Sequence, residues 1–219
     1  MIKKEDLNDR IKRVTEATLK AISGRREDEI NVNFSTGAVS ISEKEVQLPS
    51  PPPVSSSKDL QSLRGLSDSL SLRLKYHNKE LHQENMPRGQ DALAVYERIE
   101  QVRFESLGSN KFIGIAQNLD LALEEKCIAH GFNTITEKID TMLPDVIGLL
   151  VRERLTGHKT PKNAQNLLNL WRDDVERQVG EKLDNMQKFA HSQKAFVNLV
   201  TEIIHALDLV DEELQPNDP

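Results

Sequence analysis

Hydrophobic positions at the start of the chain recur with the spacing of a helix. Between residues 5 and 23 they fall three or four residues apart, at Leu7, Ile11, Val14, Thr18 and Ile22. This spacing places them on one face of an α-helix. Gly24 follows and is suited to end the helix, because glycine readily adopts the left-handed conformation of a C-cap. The pattern predicts a helix over 5–23.

The next segment changes to the period of a β-strand. Apolar residues alternate with polar ones on both sides of a Ser-Thr-Gly turn, at Ile30, Val32 and Phe34 and then at Val39 and Ile41. Two alternating segments around such a turn predict a β-hairpin. The proline- and serine-rich stretch LPSPPPVSSS that follows is interpreted as a stiff, extended linker.

Helical periodicity dominates from residue 58 onward. The predicted helices cover about 58–84, 90–107, 112–130, 144–156 and 161–186, with a last one carrying apolar residues from Phe189 to Val210. Gly108 and Gly157 are placed to end two of them, and Pro144 suits a first helical turn. The predicted fold class is mainly α, a multi-helix bundle with a small N-terminal β-hairpin.

Four parts of the chain follow from these segments. They are an N-terminal helix plus β-hairpin (1–48), a Pro/Ser linker (49–57), a helical domain (58–211) and an acidic tail or the start of a linker (212–219). No internal repeat is visible.

Composition narrows the possible classes of function. The net charge of −6 argues against broad binding to a nucleic-acid backbone, which needs clustered Lys and Arg. The single cysteine, Cys127, cannot form an internal disulfide. The N-terminus lacks the apolar core of a signal peptide, and no stretch is apolar enough for a membrane span. We therefore expect a soluble, cytoplasmic protein that binds neither nucleic acid nor membrane.

Two histidines near the end of the predicted helix 58–84 are candidate metal ligands. His77 falls within the apolar stripe of that helix, and His82 follows five residues later. Helical residues five apart are separated by about 140° around the axis, whereas paired histidine ligands on one helix usually lie four apart. We interpret His77 as a buried, hydrogen-bonded histidine and His82 as an edge residue. Both are weak metal candidates.

Charged residues are frequent in the segment ERIEQVRFESLG. Glu100 and Arg103 lie three residues apart, with Glu97 and Glu105 on either side. Pairs at this spacing on a helix surface stabilise it only weakly. We interpret the segment as a solvated charged face, with a polar patch that contacts a partner as the alternative.

Catalytic motifs are not apparent in the sequence. No glycine-rich phosphate loop of the Walker type is present. Only His130 lies near Cys127, so an ordinary helix cysteine is favoured over a nucleophile. No active site is predicted in this chain alone.

Several stretches together resemble a known family. They are RGLSDSLSLRLKYHNKELH (64–82), VYERIEQVRFESLG (95–108), GIAQNLD (114–120), LLVRERLTG (149–157), NLWR (169–172) and the last predicted helix. In this order and at these separations they resemble the N-terminal region of the CobT family, a subunit of the aerobic, ATP-dependent cobaltochelatase. Longer members continue into an acidic linker and a C-terminal von Willebrand-type domain, which this sequence is expected to lack.

The resemblance implies a role in vitamin B12 synthesis. Members take part in inserting cobalt into hydrogenobyrinic acid a,c-diamide, a ligase reaction that forms cobalt–nitrogen bonds. Their implied partners are an AAA+ ATPase subunit, CobS, and a large corrin-binding subunit, CobN. The complex uses ATP, Mg and Co, whereas this chain is expected to bind no cofactor.

These observations lead to the hypothesis of a non-catalytic assembly module. It would hold the ATPase ring or the large subunit through the faces of helices 58–84 and 90–107. The candidate interface residues are Arg64, His77, His82, Glu100, Arg103 and Glu105. Alanine at Arg103 or Glu105 is expected to weaken complex formation and to leave the thermal melt nearly unchanged.

Two alternatives of a different class remain open. One is a small cobalt-binding delivery protein that uses His77 and His82, with His130 from a neighbouring helix. The other is a helical adaptor of another AAA+ ATPase.

Overall fold

The computed structural model describes residues 6–54 and 56–209. The helices are α1 (Leu7–Ser23), α2 (Ser57–Tyr76), α3 (Lys79–Glu84), α4 (Gln90–Ser109), α5 (Ile113–Ala129), α6 (Leu143–Thr156), α7 (Gln165–Phe189) and α8 (Gln193–Ala206). The strands are β1 (Asn31–Ser35), β2 (Ser40–Ile41) and β3 (Glu45–Pro49). The mainly α fold class is therefore confirmed.

The chain groups into two compact units. Unit 1 consists of the described residues through His77 together with Leu107–Lys126, and unit 2 consists of Asn78–Ser106 and the described residues from Cys127 onward. Helices α4 and α5 each contribute residues to both units. The described residues of the predicted Pro/Ser linker 49–57 belong to unit 1, and the acidic tail 212–219 lies outside the described residues.

Two helices begin and end as their local signals predict. α1 ends at Gly24, which has a φ of 74° and donates its amide to the Lys20 carbonyl. α6 has Pro144 in its first turn and ends at Gly157, with a φ of 72°. Positive φ is sterically easy for glycine, so both helices end in the expected left-handed conformation.

The predicted β-hairpin is wrong in its pairing. The strand order is β1-β3-β2, in which β1 pairs with β3 in parallel and β2 pairs with β3 in antiparallel. β3 takes the central position because Val46 and Leu48 are fully buried, and they form one core cluster with Leu19, Ile30 and Leu63. The first residues of the predicted linker, Leu48 and Pro49, thus belong to a strand.

The predicted helix 58–84 is interrupted. α2 ends at Tyr76, and His77 is extended with φ −102° and ψ 125°. Asn78 then caps α3, because its side-chain oxygen accepts a hydrogen bond from the Leu81 amide at 2.8 Å. Asparagine is among the strongest N-cap residues. A local cap signal therefore breaks the apolar stripe that had suggested one helix.

Two further boundaries differ from prediction. Gly108 lies within α4 rather than after it. A Cβ on Gly108 would come within 2.4 Å of the Leu72 side chain. Phe189 ends α7 instead of opening the last helix, and α8 begins after the Ser192 side chain accepts a hydrogen bond from the Ala195 amide. Val210 lies outside the described residues. Within residues 6–54 and 56–209, no helix combines the length and apolar character that crossing a membrane requires.

Candidate partner-binding groove

An open apolar groove lies within unit 1, between α1, the last turns of α2 and the start of α5. Its volume is about 660 Å³. Most of its surface comes from apolar side chains and small residues. The residues that line it are Arg13, Val14, Ala17, Thr18, Ala21, Ile22, Asp68, Lys75, Phe112, Gly114, Ile115 and Asn118. We call this feature the unit 1 groove.

One wall of the unit 1 groove is the apolar stripe of α1. Such a stripe normally packs against the core, but Val14 is 52% exposed and Leu7, two turns earlier, is also exposed. The side of α1 that carries Leu19 faces the core instead, with Ile11 packed at its edge. α1 therefore presents apolar residues in two directions, to the core and to the groove.

The opposite wall comes from the segment that opens α5. Phe112 is 43% exposed and lines the groove, and the adjoining Ile113 is 79% exposed. Gly114 adds no side chain next to them, and Ile115 is buried. Contiguous exposed apolar surface on a folded protein commonly marks an interaction site.

The floor of the groove contains a buried carboxylate. Asp68 on α2 is buried, and one of its oxygens accepts a hydrogen bond from the Asn118 side-chain amide of α5 at 2.8 Å. Burial raises the pKa of Asp68, although the Asn118 hydrogen bond and the charge of Arg64 oppose the shift.

Two cationic side chains line the groove, and a third lies beside it. Arg13 and Lys75 line the groove, and the Lys75 ammonium donates to the Ile22 carbonyl at 2.8 Å. The Lys111 ammonium lies 5.4 Å from the centre of the Phe112 ring. The groove therefore has an apolar interior and a basic rim.

The replacement Asp68→Asn is expected to stabilise the protein at neutral pH. Because the Asp68 pKa is raised in the folded state, its contribution to stability is lost as the pH rises through that pKa. A neutral amide removes this loss and still accepts the Asn118 hydrogen bond. Urea unfolding should show a higher free energy of unfolding for the variant at about pH 7, with the difference shrinking toward about pH 4, near the ordinary aspartate pKa.

Asp59→Asn provides a control with the opposite sign. The Ser56 hydroxyl and amide, at the start of α2, lower the pKa of Asp59 by hydrogen bonding to it. This variant should lose stability at neutral pH. A stabilising effect of Asp68→Asn that is equal at both pH values would contradict a raised pKa of Asp68 in the folded state.

The burial predicted for the two histidines is reversed in the structure. His77 is only half-buried at the end of α2, whereas His82 is 3% exposed. The His82 Nε2 lies 3.0 Å from a Glu97 carboxylate oxygen, and its ring stacks on Tyr96 at 4.5 Å. Burial raises the pKa of Tyr96 to about 12, and its hydroxyl donates to the His82 carbonyl.

The argument that His77 and His82 cannot share one metal ion rested on a continuous helix, whereas α2 ends at Tyr76 and α3 begins at Lys79. His77 belongs to unit 1 and His82 to unit 2. Among the described residues, no group of three or more His, Cys, Asp or Glu is arranged to hold a metal ion. Cys127 is fully buried.

The interpretation of Glu100 and Arg103 as a solvated face is wrong. Arg103 is 1% exposed and Glu100 is 4% exposed. The Arg103 guanidinium donates to both Glu100 carboxylate oxygens, at 2.7 and 2.8 Å, and to the Ala190 carbonyl at 3.0 Å. It also donates to the Gln193 side chain at 3.3 Å. Both residues are buried within unit 2, where Arg103 joins α4 to Ala190 and Gln193.

The two remaining interface candidates, Glu105 and Arg64, lie in different units. Glu105 is half-buried and accepts a hydrogen bond from the Gln101 amide at 2.9 Å. Arg64 is exposed on α2 in unit 1, outside the set of residues that line the groove. The predicted interface residues therefore divide between the two units, with Arg64 and His77 in unit 1 and His82, Glu100, Arg103 and Glu105 in unit 2.

The sequence carried a signal for the groove that the prediction did not use. The segment Phe112–Ile115 is apolar at the very start of a helix, where polar first-turn residues are usual. Leu7 and Val14 are also seven residues apart, the interval at which one helix contacts another. Only the structure shows that both lie exposed.

Comparison with known proteins places the chain in a family. Residues 5–219 match the family model described as "Cobalamin biosynthesis protein CobT". No solved structure matches the chain. Because the match spans almost the entire sequence and agrees with the resemblance of its sequence blocks, the chain belongs to the CobT family of cobalamin biosynthesis proteins.

Proposed function

We propose that this chain is a non-catalytic assembly subunit of the ATP-dependent cobaltochelatase that inserts cobalt into hydrogenobyrinic acid a,c-diamide. The observation that carries the proposal is the unit 1 groove. Exposed Val14 and Phe112 give it an apolar surface suited to another protein. Family membership supports a role in cobalamin biosynthesis for that interaction.

The proposed partners are the AAA+ ATPase subunit, CobS, and the large corrin-binding subunit, CobN. In this proposal the partners bind ATP, Mg and the corrin, and this chain positions them. We place the contact surface at the unit 1 groove instead of at the faces of the predicted helices 58–84 and 90–107. The proposal does not use Arg103 of α4, which is buried.

Light scattering after gel filtration tests the assembly role. The chain is mixed with the purified ATPase subunit, with and without Mg-ATP, and separately with the purified large subunit. Co-elution in a species of defined mass with at least one of them is the expected result. Separate elution from both subunits under all conditions would contradict the proposal.

The replacement Val14→Asp is expected to weaken that association about tenfold, the loss that follows from about 1.4 kcal/mol of missing apolar contact. Val14 lines the groove and is 52% exposed, so a charge there meets solvent in the free chain and meets apolar surface only in the complex. The thermal unfolding midpoint should not change.

Val39→Asp is the matched control. Val39 is also an exposed apolar residue of unit 1, at 43%, but it does not line the groove. Its replacement should leave the association intact. Equal loss in both variants would assign the effect to charge or solubility and not to the groove.

A further inference from the structure

The unit 1 groove combines two surface properties that together restrict its occupant. Its interior is apolar, with Val14 and Phe112 on opposite walls. Its rim carries the positive charges of Arg13 and Lys75, and Lys111 adjoins it beside Phe112. Among the described residues that line it, the one acid is Asp68, which is buried at the floor.

We propose that the unit 1 groove binds an amphipathic helix of another chelatase subunit, with acidic residues flanking its apolar face. Apolar side chains of that helix enter the groove, and its carboxylates face Arg13, Lys75 and Lys111. This inference rests on the proposed function and specifies the chemistry of the partner at the same site.

The shape of the groove favours a helix over an extended peptide. Its walls are helices, whose backbone groups are bonded within each helix, so an added strand finds no sheet edge to pair with. α1 exposes Leu7 and Val14 two turns apart along one side. A second helix laid along α1 can place residues of its own at this interval between them.

The charges favour acidic flanks over basic ones. Arg13 and Lys75 are exposed cations beside apolar surface, so a helix with lysine flanks would be repelled where its apolar face makes contact. Nucleic acid fits poorly, because its charged backbone leaves the apolar interior of the groove without a partner. An acidic amphipathic helix provides apolar side chains for the interior of the groove and carboxylates for the cations of its rim.

Photo-crosslinking from the groove tests the chemistry of the occupant directly. Benzoylphenylalanine is placed at position 113, which stays apolar and adjoins Phe112 of the groove wall, and at position 39 as a control. Each protein is mixed with the purified ATPase and large subunits and irradiated, and the linked peptide is identified by mass spectrometry. The expected product from position 113 is a helical partner segment with acidic residues beside its apolar positions, absent from position 39.

Each other outcome overturns the inference. A basic or non-helical partner segment, or a second copy of this chain, would reject the acidic helix while co-elution with the subunits still supports the assembly role. No crosslink from position 113 within a complex that does form would place the contact elsewhere. Absence of co-elution would reject the proposed function itself.

The replacement Arg13→Glu gives an independent readout of the charge. We expect association with the crosslinked subunit to weaken at least tenfold at low ionic strength, and the difference to shrink at about 0.5 M salt, where exposed charges are screened. Lys44→Glu makes the same charge change in the exposed turn between β2 and β3, outside the groove, and should have little effect. An equal effect of both variants, or tighter binding by Arg13→Glu, would contradict the proposed acidic partner.

Discussion

Replacing Arg103 by alanine is expected to lower the free energy of unfolding by about 3–5 kcal/mol, the cost of breaking a buried ion pair from one side. The Glu100 carboxylate would remain buried without the guanidinium that bonds both of its oxygens. The Ala190 carbonyl and the Gln193 side chain would also lose a donor. Urea unfolding followed by circular dichroism measures the loss.

The effect should extend beyond one ion pair because the Gln193 side chain bonds to both Arg103 and Asn78. Its side-chain oxygen accepts from the Asn78 amide at 2.7 Å, and its amide donates to the Asn78 carbonyl at 2.9 Å. The Arg103 network thereby joins α4 to the segment before α8 and to the start of α3, all within unit 2. Removal of Arg103 is expected to loosen this junction first.

Two further variants distinguish burial from charge. Arg177→Ala removes an arginine whose side chain is 72% exposed and is expected to leave the unfolding midpoint unchanged. The double replacement Glu100→Leu with Arg103→Met removes both buried charges and should recover much of the lost stability. If the single Arg103→Ala variant is as stable as wild type but associates less well, the result would instead support a contact between Arg103 and a partner.

Gly65→Ala is expected to lower the free energy of unfolding by about 2 kcal/mol, typical of overpacking a close contact. A Cβ on Gly65 in α2 would lie 2.6 Å from the Ala122 Cβ and 3.0 Å from the Asn118 carbonyl oxygen of α5. Carbon atoms in favourable contact lie about 3.5–4.0 Å apart. Because one obstacle is backbone, α2 and α5 must separate to admit the methyl group.

Gly114→Ala is the matched control on α5. Apart from its chain neighbours and the backbone of its own helix, no atom of the described residues lies within 4 Å of the position its Cβ would take. Alanine is also the better helix former, so this variant should be as stable as wild type or slightly more stable. If Gly65→Ala melts like Gly114→Ala, α2 and α5 do not approach as closely as the structure shows.

The helix boundaries that the sequence predicted correctly are those with local signals. Gly24 ends α1, and Pro144 and Gly157 bracket α6, because each residue acts through its own backbone conformation. The break at Asn78 is also a local cap, but the apolar stripe that continues across it concealed the signal.

Strand pairing could not be predicted in the same way. The alternation around the Ser-Thr-Gly turn identified β1 and β2 as strands but did not show that β3 lies between them. Pairing depends on which strand buries both Val46 and Leu48 against Leu19 of α1, a contact between residues far apart in the chain. Alternation along one segment contains no information about that choice.

Burial of polar residues was the largest error at the candidate site. Glu100 and Arg103 have the spacing of an exposed helical pair, and only their partners at Ala190 and Gln193 show that they are buried. The burial of His77 and His82 was also predicted wrongly, because the sequence does not show which residues cover each side chain. Residue type and spacing describe a helix face without stating what covers it.

The sequence by itself determined the mainly α class, the local helix ends at Gly24 and Gly157, and the family, because each depends on periodicity, backbone preference or the order of sequence blocks. Only the tertiary structure decided which apolar face is covered. Val14 and Leu19 lie on the same helix and are equally apolar, yet Leu19 is in the core and Val14 lines an open groove. Burial is a relation between distant segments, and one helix cannot specify it alone.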